Sequence, residues 1–203
     1  MHLKNIAILA SGNGTNFEAI AKAIKRGYIR ANLKLLITDK ENAYVRVRAK
    51  KFGVLDLFVD PKKFKDRLDF DRELIKILKK EKIDLIILAG FMRILGKEFV
   101  NTFKNKILNI HPAILPAFKG TNSIERAFRY GCKVSGVTVH FVDENVDSGP
   151  IILQDVVKIK EEMKLEEFEE KIHKLEHKLY PKAIKLFLEN KLKIKGRIVK
   201  IKC

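Results

Sequence analysis

The segment at residues 84–88, Asp-Leu-Ile-Ile-Leu, most narrows what this chain can fold into. Its apolar run leaves no polar face, so a strand built from it needs cover on both sides. A parallel sheet flanked by helices supplies that cover, whereas an antiparallel sheet usually keeps one face wet. Shorter apolar strands are expected at 6–9, 33–37 and 54–59. Between them lie helical patterns at 17–26, 43–51 and 71–80, the last marked by Leu74, Ile75 and Leu78. A helix near 97–103 leads to a strand at 107–111, and a helix at 123–130 to strands at 136–142 and 151–157. Leu165, Phe168, Ile172, Leu175 and Leu179 then step by three and four, which predicts an amphipathic helix. A further helix is expected from near Pro181 to 188, and a hairpin-like tail at 191–202. No linker or repeat interrupts this order, so one domain over 1–203 is expected.

Three stretches carry chemistry. After the first strand comes Ala10-Ser-Gly-Asn-Gly-Thr-Asn16. Strand, glycine turn and helix in that order place backbone amides and a helix N-terminus around an anion. Gly12 and Gly14 allow close backbone approach, and Thr15 or Asn16 is expected to cap the helix. The spacing is neither G-x-G-x-x-G nor a phosphate-loop signature, so nicotinamide dinucleotides and ATP are not indicated. The second stretch, Ala89-Gly-Phe-Met-Arg-Ile-Leu95, is an apolar loop after a strand's carboxyl end, where open α/β sheets bind ligands. Arg93 has two readings there, ligand contact or a side chain reaching solvent.

The third is Ile107-Leu-Asn-Ile-His-Pro112. Side chains alternate along a strand, so Asn109 and His111 share a face. Pro112 cannot donate to a ladder, so the strand stops with His111 at its lip. An amide donor beside an imidazole can stabilise an oxyanion and move a proton. The same pair could equally cap a strand end. Thr138 and His140 share a face of their strand, and Asp147 stands apart from other loop acids because Ser-Gly-Pro follows it. His173 and His177 lie four apart on the long helix, but no H-E-x-x-H is present and a third ligand is missing, so no metal is expected.

Composition excludes some classes. No apolar run reaches the ~20 residues of a membrane helix, and no cleavable leader is expected at Met1 to Lys4. Cys132 and Cys203 make no disulfide framework, which fits a reduced cytoplasm. The formal charge is +17, yet basic residues are spread along the chain, and aromatic residues are not interleaved among them as a base-stacking surface would require. Nucleic acid is therefore not expected as a partner. Anion attraction and a lysine-rich, heat-tolerant surface remain open readings.

Taken together, Ser11-Gly-Asn-Gly-Thr-Asn16, Ala89 to Leu95, Asn109-Ile-His-Pro112 with Leu115-Pro116, Thr138-Val-His140-Phe, Asp147-Ser-Gly-Pro and Glu176-His-x-x-Tyr-Pro181 resemble the phosphoribosylglycinamide formyltransferase family over nearly the whole chain. The resemblance implies a doubly wound, mostly parallel α/β sheet with helices on both faces. It implies transfer of formyl from 10-formyltetrahydrofolate, as cosubstrate, to glycinamide ribonucleotide, without a metal, in a monomer or homodimer. Asn109, His111 and Asp147 would be catalytic. Gly14, Thr15, Asn16, His173 and Glu176 would bind the ribonucleotide. Arg67, Met92, Arg93, Ile94, Leu95, Asp143, Glu144, Val146, Asn109 and Asp147 would bind folate, with Thr138 and His140 supporting. His111 is expected to be kept charged by Asp147. Gly120-Thr-Asn-Ser-Ile replaces a histidine-bearing loop of many members, and Thr138 a serine. A 10-formyltetrahydrofolate hydrolase is the main alternative, expected to carry an extra N-terminal domain. A tRNA-directed formyltransferase would carry an RNA-binding domain behind the tail.

Overall fold

The computed structural model describes residues 3–202. The readings placed on Met1 and Cys203 lie outside the described residues. The chain forms two compact units that divide between Leu108 and Asn109.

In the first unit, β1 (Asn5–Leu9), β2 (Asn32–Thr38), β3 (Leu55–Phe58) and β4 (Leu85–Leu88) are parallel, in the order β3-β2-β1-β4. Leu85, Ile86, Ile87 and Leu88 are all buried, as a run without a polar face requires. Helices α1 (Thr15–Lys25), α2 (Tyr44–Lys51), α3 (Arg67–Lys80) and α4 (Lys97–Thr102) fill the connections. Phe17 and Ile20 of α1, and Phe70, Leu74 and Leu78 of α3, are almost fully buried. Each such side chain stabilises the fold by about 1.5–3 kcal/mol relative to exposure. Helix α3 begins four residues before the apolar pattern predicts, because the Asp66 carboxylate accepts from the Asp69 amide at 2.9 Å and caps it.

The strand order places a reversal between β1 and β4: connections run outward on one side to β2 and β3, and on the other to β4. Open α/β sheets bind ligands beside the carboxyl ends of strands at such a point. The glycine turn follows β1 and the Ala89–Leu95 segment follows β4, so both arrive there.

Strand β5 (Ile107–His111) carries the chain from the first unit into the second. In the second unit α5 (Ser123–Arg129) precedes β6 (Val134–Phe141) and β7 (Ile151–Lys158), which pair antiparallel. Their register shifts between Val139 and His140, an irregularity of the kind that re-aims a side chain. Strands β8 (Leu192–Lys195) and β9 (Ile198–Ile201) form the expected antiparallel hairpin, and β9 joins β7 in parallel.

Residues 165–188 make one 24-residue helix, α6, rather than two helices parted at Pro181. Proline removes one intrahelical donor, and the expectation gave that loss too much weight. Tyr180, Ala183 and Ile184 are fully buried around it, so packing against β6 and β7 carries the helix through. Among the described residues no helix is long and apolar enough to cross a membrane.

Candidate active site

In the second unit, β5 delivers Asn109 and His111 to a single carboxylate. Asn109 Nδ2 lies 3.4 Å from Asp147 Oδ1, and His111 Nδ1 lies 3.3 Å from Asp147 Oδ2. Two side chains two residues apart reach one group, which is what strand alternation predicts. Asp147 Oδ2 also accepts from the Gly120 amide at 2.8 Å. Burial works to raise the Asp147 carboxyl, but hydrogen bonding with His140, the Gly120 amide and the charge of His111 together hold it below the usual carboxylate range. Asp147 has φ of 48°, a left-handed conformation that few non-glycine residues adopt. Gly149 fixes that corner, because a Cβ there would meet the Phe141 carbonyl oxygen at 1.8 Å.

His111 is buried, and both of its ring nitrogens face acceptors. Nε2 is 2.9 Å from the Phe118 carbonyl, and Nδ1 faces Asp147. A neutral ring satisfies one of them with its single N–H, and a second proton would satisfy both. Burial nevertheless pushes the imidazole down from its ordinary value, outweighing Asp147 and the Phe118 carbonyl. The expectation that Asp147 keeps His111 charged is therefore corrected: desolvation disfavours the cation more than one partly buried carboxylate favours it.

His140 stands behind Asn109. Its Nδ1 donates to the Phe141 carbonyl at 2.7 Å, and its Nε2 lies 3.3 Å from Asn109 Nδ2 and 3.7 Å from Asp147 Oδ1. The amide nitrogen thus sits between His140 and Asp147. Thr138 acts elsewhere. Its hydroxyl donates to Ala113 O and accepts from Leu115 N and Gln154 Nε2, pinning the segment that follows His111.

His173 and Glu176 form a pair, Nδ1 to Oε2 at 2.9 Å, and this hydrogen bond raises the imidazole's pKa. Glu176 is buried while His173 is half-exposed. Asp143 is used inside its own loop, accepting from Asn145 N and Ser148 Oγ, while Glu144 and Val146 are exposed.

In the first unit the residue before α1 is Gly14, with φ of 79° and no side-chain cap. Thr15 and Asn16 lie inside the helix, which corrects their expected capping role. Gly14 packs on α2, where a Cβ would lie 2.4 Å from Val45 Cγ2. Arg48 donates to Asn13 O and Asn13 Oδ1, both at 2.9 Å, and so braces the turn. A cavity of about 530 Å³ beside it is lined by Ser11, Gly12, Asn13, Lys40 and Tyr44, among others.

The segment after β4 exposes Met92 and Ile94 and buries Leu95. Arg93 does not simply reach solvent: its guanidinium lies 4.8 Å from the Phe70 ring centroid. Buried Asp71 accepts from the Gly96 amide at 2.7 Å, and Arg67 flanks the same place. Burial raises the Asp71 carboxyl, with the Gly96 amide, Arg67 and Arg93 opposing.

The sequence did not single out Asp71, Phe118, Gln154 or Arg197, whose Nη2 donates to Ser148 O at 2.7 Å, and it held Ser11 and Gly120 only as members of longer motifs. Phe118 and Gly120 act through their own backbone, which leaves no residue-type signal, while Ser11, Gln154 and Arg197 reach by side chain to backbone groups far away in sequence. Asp71 alone had one, as an acid on the apolar side of α3.

The formyl transferase family model matches residues 4–184. The chain belongs to the formyl transferase family. This formyl transferase is 45% identical over 186 residues to a phosphoribosylglycinamide formyltransferase of Bacillus subtilis, covering 92% of this chain and 95% of the relative. It is 41% identical to one of Haemophilus influenzae, covering 97% and 92%. The glycinamide ribonucleotide transformylase 1 structure from Symbiobacterium toebii superposes with a TM-score of 0.97 at 42% identity, covering 100% of this chain and 95% of that one. The fold is accordingly the doubly wound, mostly parallel α/β fold of formyl transferases.

Proposed function

We propose that this formyl transferase moves the formyl group of 10-formyltetrahydrofolate to the amine of 5'-phosphoribosylglycinamide, a step of purine synthesis. The observation that carries the reading is the convergence of Asn109 and His111 on the Asp147 carboxylate. The amine attacks the formyl carbon, forming a C–N bond and a tetrahedral oxyanion. Asn109 Nδ2 is the neutral donor for that oxygen, turning to it the N–H that otherwise makes the long 3.4 Å contact with Asp147. The attacking nitrogen then carries a surplus proton, and the folate nitrogen needs one to leave. His111, neutral at rest with an acceptor facing each nitrogen, takes the proton as imidazolium and delivers it as the old C–N bond breaks. Asp147 and the Phe118 carbonyl hold both ring N–H groups in that state. No step calls for a metal.

In this reading Gly14, Thr15 and Asn16 hold the substrate phosphate at the start of α1, with His173 and Glu176 on the rest of the ribonucleotide. Arg67, the Met92–Leu95 loop and the loop from Asp143 to Asp147 hold folate. The family model spans the division at Leu108, which supports treating the chain as one working domain. Cys132 is a free thiol, consistent with a reducing cytoplasm, where a monomer or homodimer would act.

The test is formation of tetrahydrofolate from 10-formyltetrahydrofolate, with and without glycinamide ribonucleotide. Release that depends on the ribonucleotide is expected. Equal rates in both would mean hydrolysis and would overturn the transfer reading.

A further inference from the structure

Two segments proposed to hold different substrates meet at the reversal in the strand order of the first unit. Strands β1 and β4 run side by side, with Leu9 opposite Leu88. Their ladder continues past the strand ends: Ala89 N donates to Leu9 O at 2.9 Å, and Ser11 N donates to Gly90 O at 3.0 Å. The next bond is of another kind, because the Ser11 hydroxyl oxygen accepts from the Met92 amide at 2.8 Å. Ser11 therefore joins the glycine turn to the apolar loop twice, once by backbone and once by side chain.

The two segments are otherwise held from opposite directions. Val45 N donates to Gly12 O, and Arg48 holds Asn13, so α2 fixes the far side of the turn. Asp71 holds the far end of the Met92–Gly96 loop through the Gly96 amide. Between Gly90, whose φ is 73°, and Gly96, the Ser11 bond to Met92 is the side-chain tether at the near end. That hydroxyl is thus the side-chain link by which a displacement of either segment would reach the other.

We propose that Ser11 couples the two substrate segments, so that a sugar phosphate ordering the Gly12–Asn16 turn sets the Met92–Leu95 loop for the pteridine. This rests on the assignment of substrates given under the proposed function. Ser11 is here a positioning residue, acting through the Met92 backbone. Coupling is reciprocal, so each ligand changes the other's affinity by the same factor.

The experiment is calorimetric titration of tetrahydrofolate, which has no formyl group to transfer, into the protein with and without saturating glycinamide ribonucleotide, and the converse titration. Wild-type protein is expected to give a coupling factor above 1, equal in both directions. Ser11→Ala keeps the backbone bond to Gly90 and loses the tether to Met92. It should reduce the factor by ~3- to 10-fold, the scale of one neutral hydrogen bond. A purely structural role would weaken each ligand alone and leave the ratio standing. Ser11→Thr, which retains the acceptor, should keep the ratio. A wild-type factor of 1, or an unchanged factor in Ser11→Ala, overturns the proposal. Failure of the wild-type protein to bind either ligand would instead remove the formyl-transfer reading, and the coupling with it.

Discussion

At the scale of single residues, His111 has its two ring nitrogens between acceptors in a place too dry to hold a charge easily. His111→Ala and Asp147→Asn are each expected to lower kcat by on the order of 10²–10³ while changing substrate dissociation constants little, as for loss of one transition-state donor. Steady-state kinetics alongside equilibrium binding checks this, and near-normal turnover in both variants would remove the proton route. The pKa directions also predict an effect on stability. His111 is depressed in the fold, so below about pH 6.5 the unfolded chain takes up a proton that the folded chain refuses. Its contribution is present above that value and is lost as pH falls through the folded pKa. Asp147, also depressed, adds a loss in the same sense at lower pH. Thermal melts between about pH 7 and 5 should therefore fall more steeply for the wild type than for His111→Asn. Asn109 and His111 were legible as a pair because strand periodicity places them on one face. The sign of the His111 shift was not, since it depends on how much water the ring loses.

At the scale of elements, the turn before α1 is the most exacting piece. Gly14→Ala would put a Cβ against Val45 Cγ2 in a left-handed conformation that alanine disfavours. A stability loss of about 1–3 kcal/mol is expected, measured by denaturant melts, together with weaker binding of the ribonucleotide. Unchanged affinity would place the phosphate elsewhere. The existence and order of the elements were readable from apolar runs and helical spacing. Their edges were less so: Asp66 starts α3 through a side-chain cap with no apolar signal, and α6 runs through Pro181 because its neighbours are buried. The tether from Ser11 to Met92 crosses 81 residues of sequence, beyond the reach of any local pattern.

At the scale of the whole molecule the open question is the charge of +17. Acids paired with bases, as in Lys22–Glu18 and Arg129–Glu125, are already subtracted in that figure, each exposed pair being worth about 0.2–1 kcal/mol; the remaining 17 are an excess of Lys and Arg. If the remainder draws in anionic substrates, kcat/KM should fall as salt rises from about 0.01 M to 0.15 M, where the screening length shortens from about 30 Å to 8 Å. A flat response would leave the lysines to surface stability. Composition alone could not decide this, because distance to a site enters only with the fold. The bond from Arg197 to Ser148 O carries a further consequence. Arg197 sits in the turn of the last hairpin, and Ser148 is the neighbour of Asp147. If Asp147 serves catalysis as proposed, Arg197→Ala should lower kcat while leaving the melting temperature near that of the wild type, and the tail would be part of the working enzyme rather than packaging.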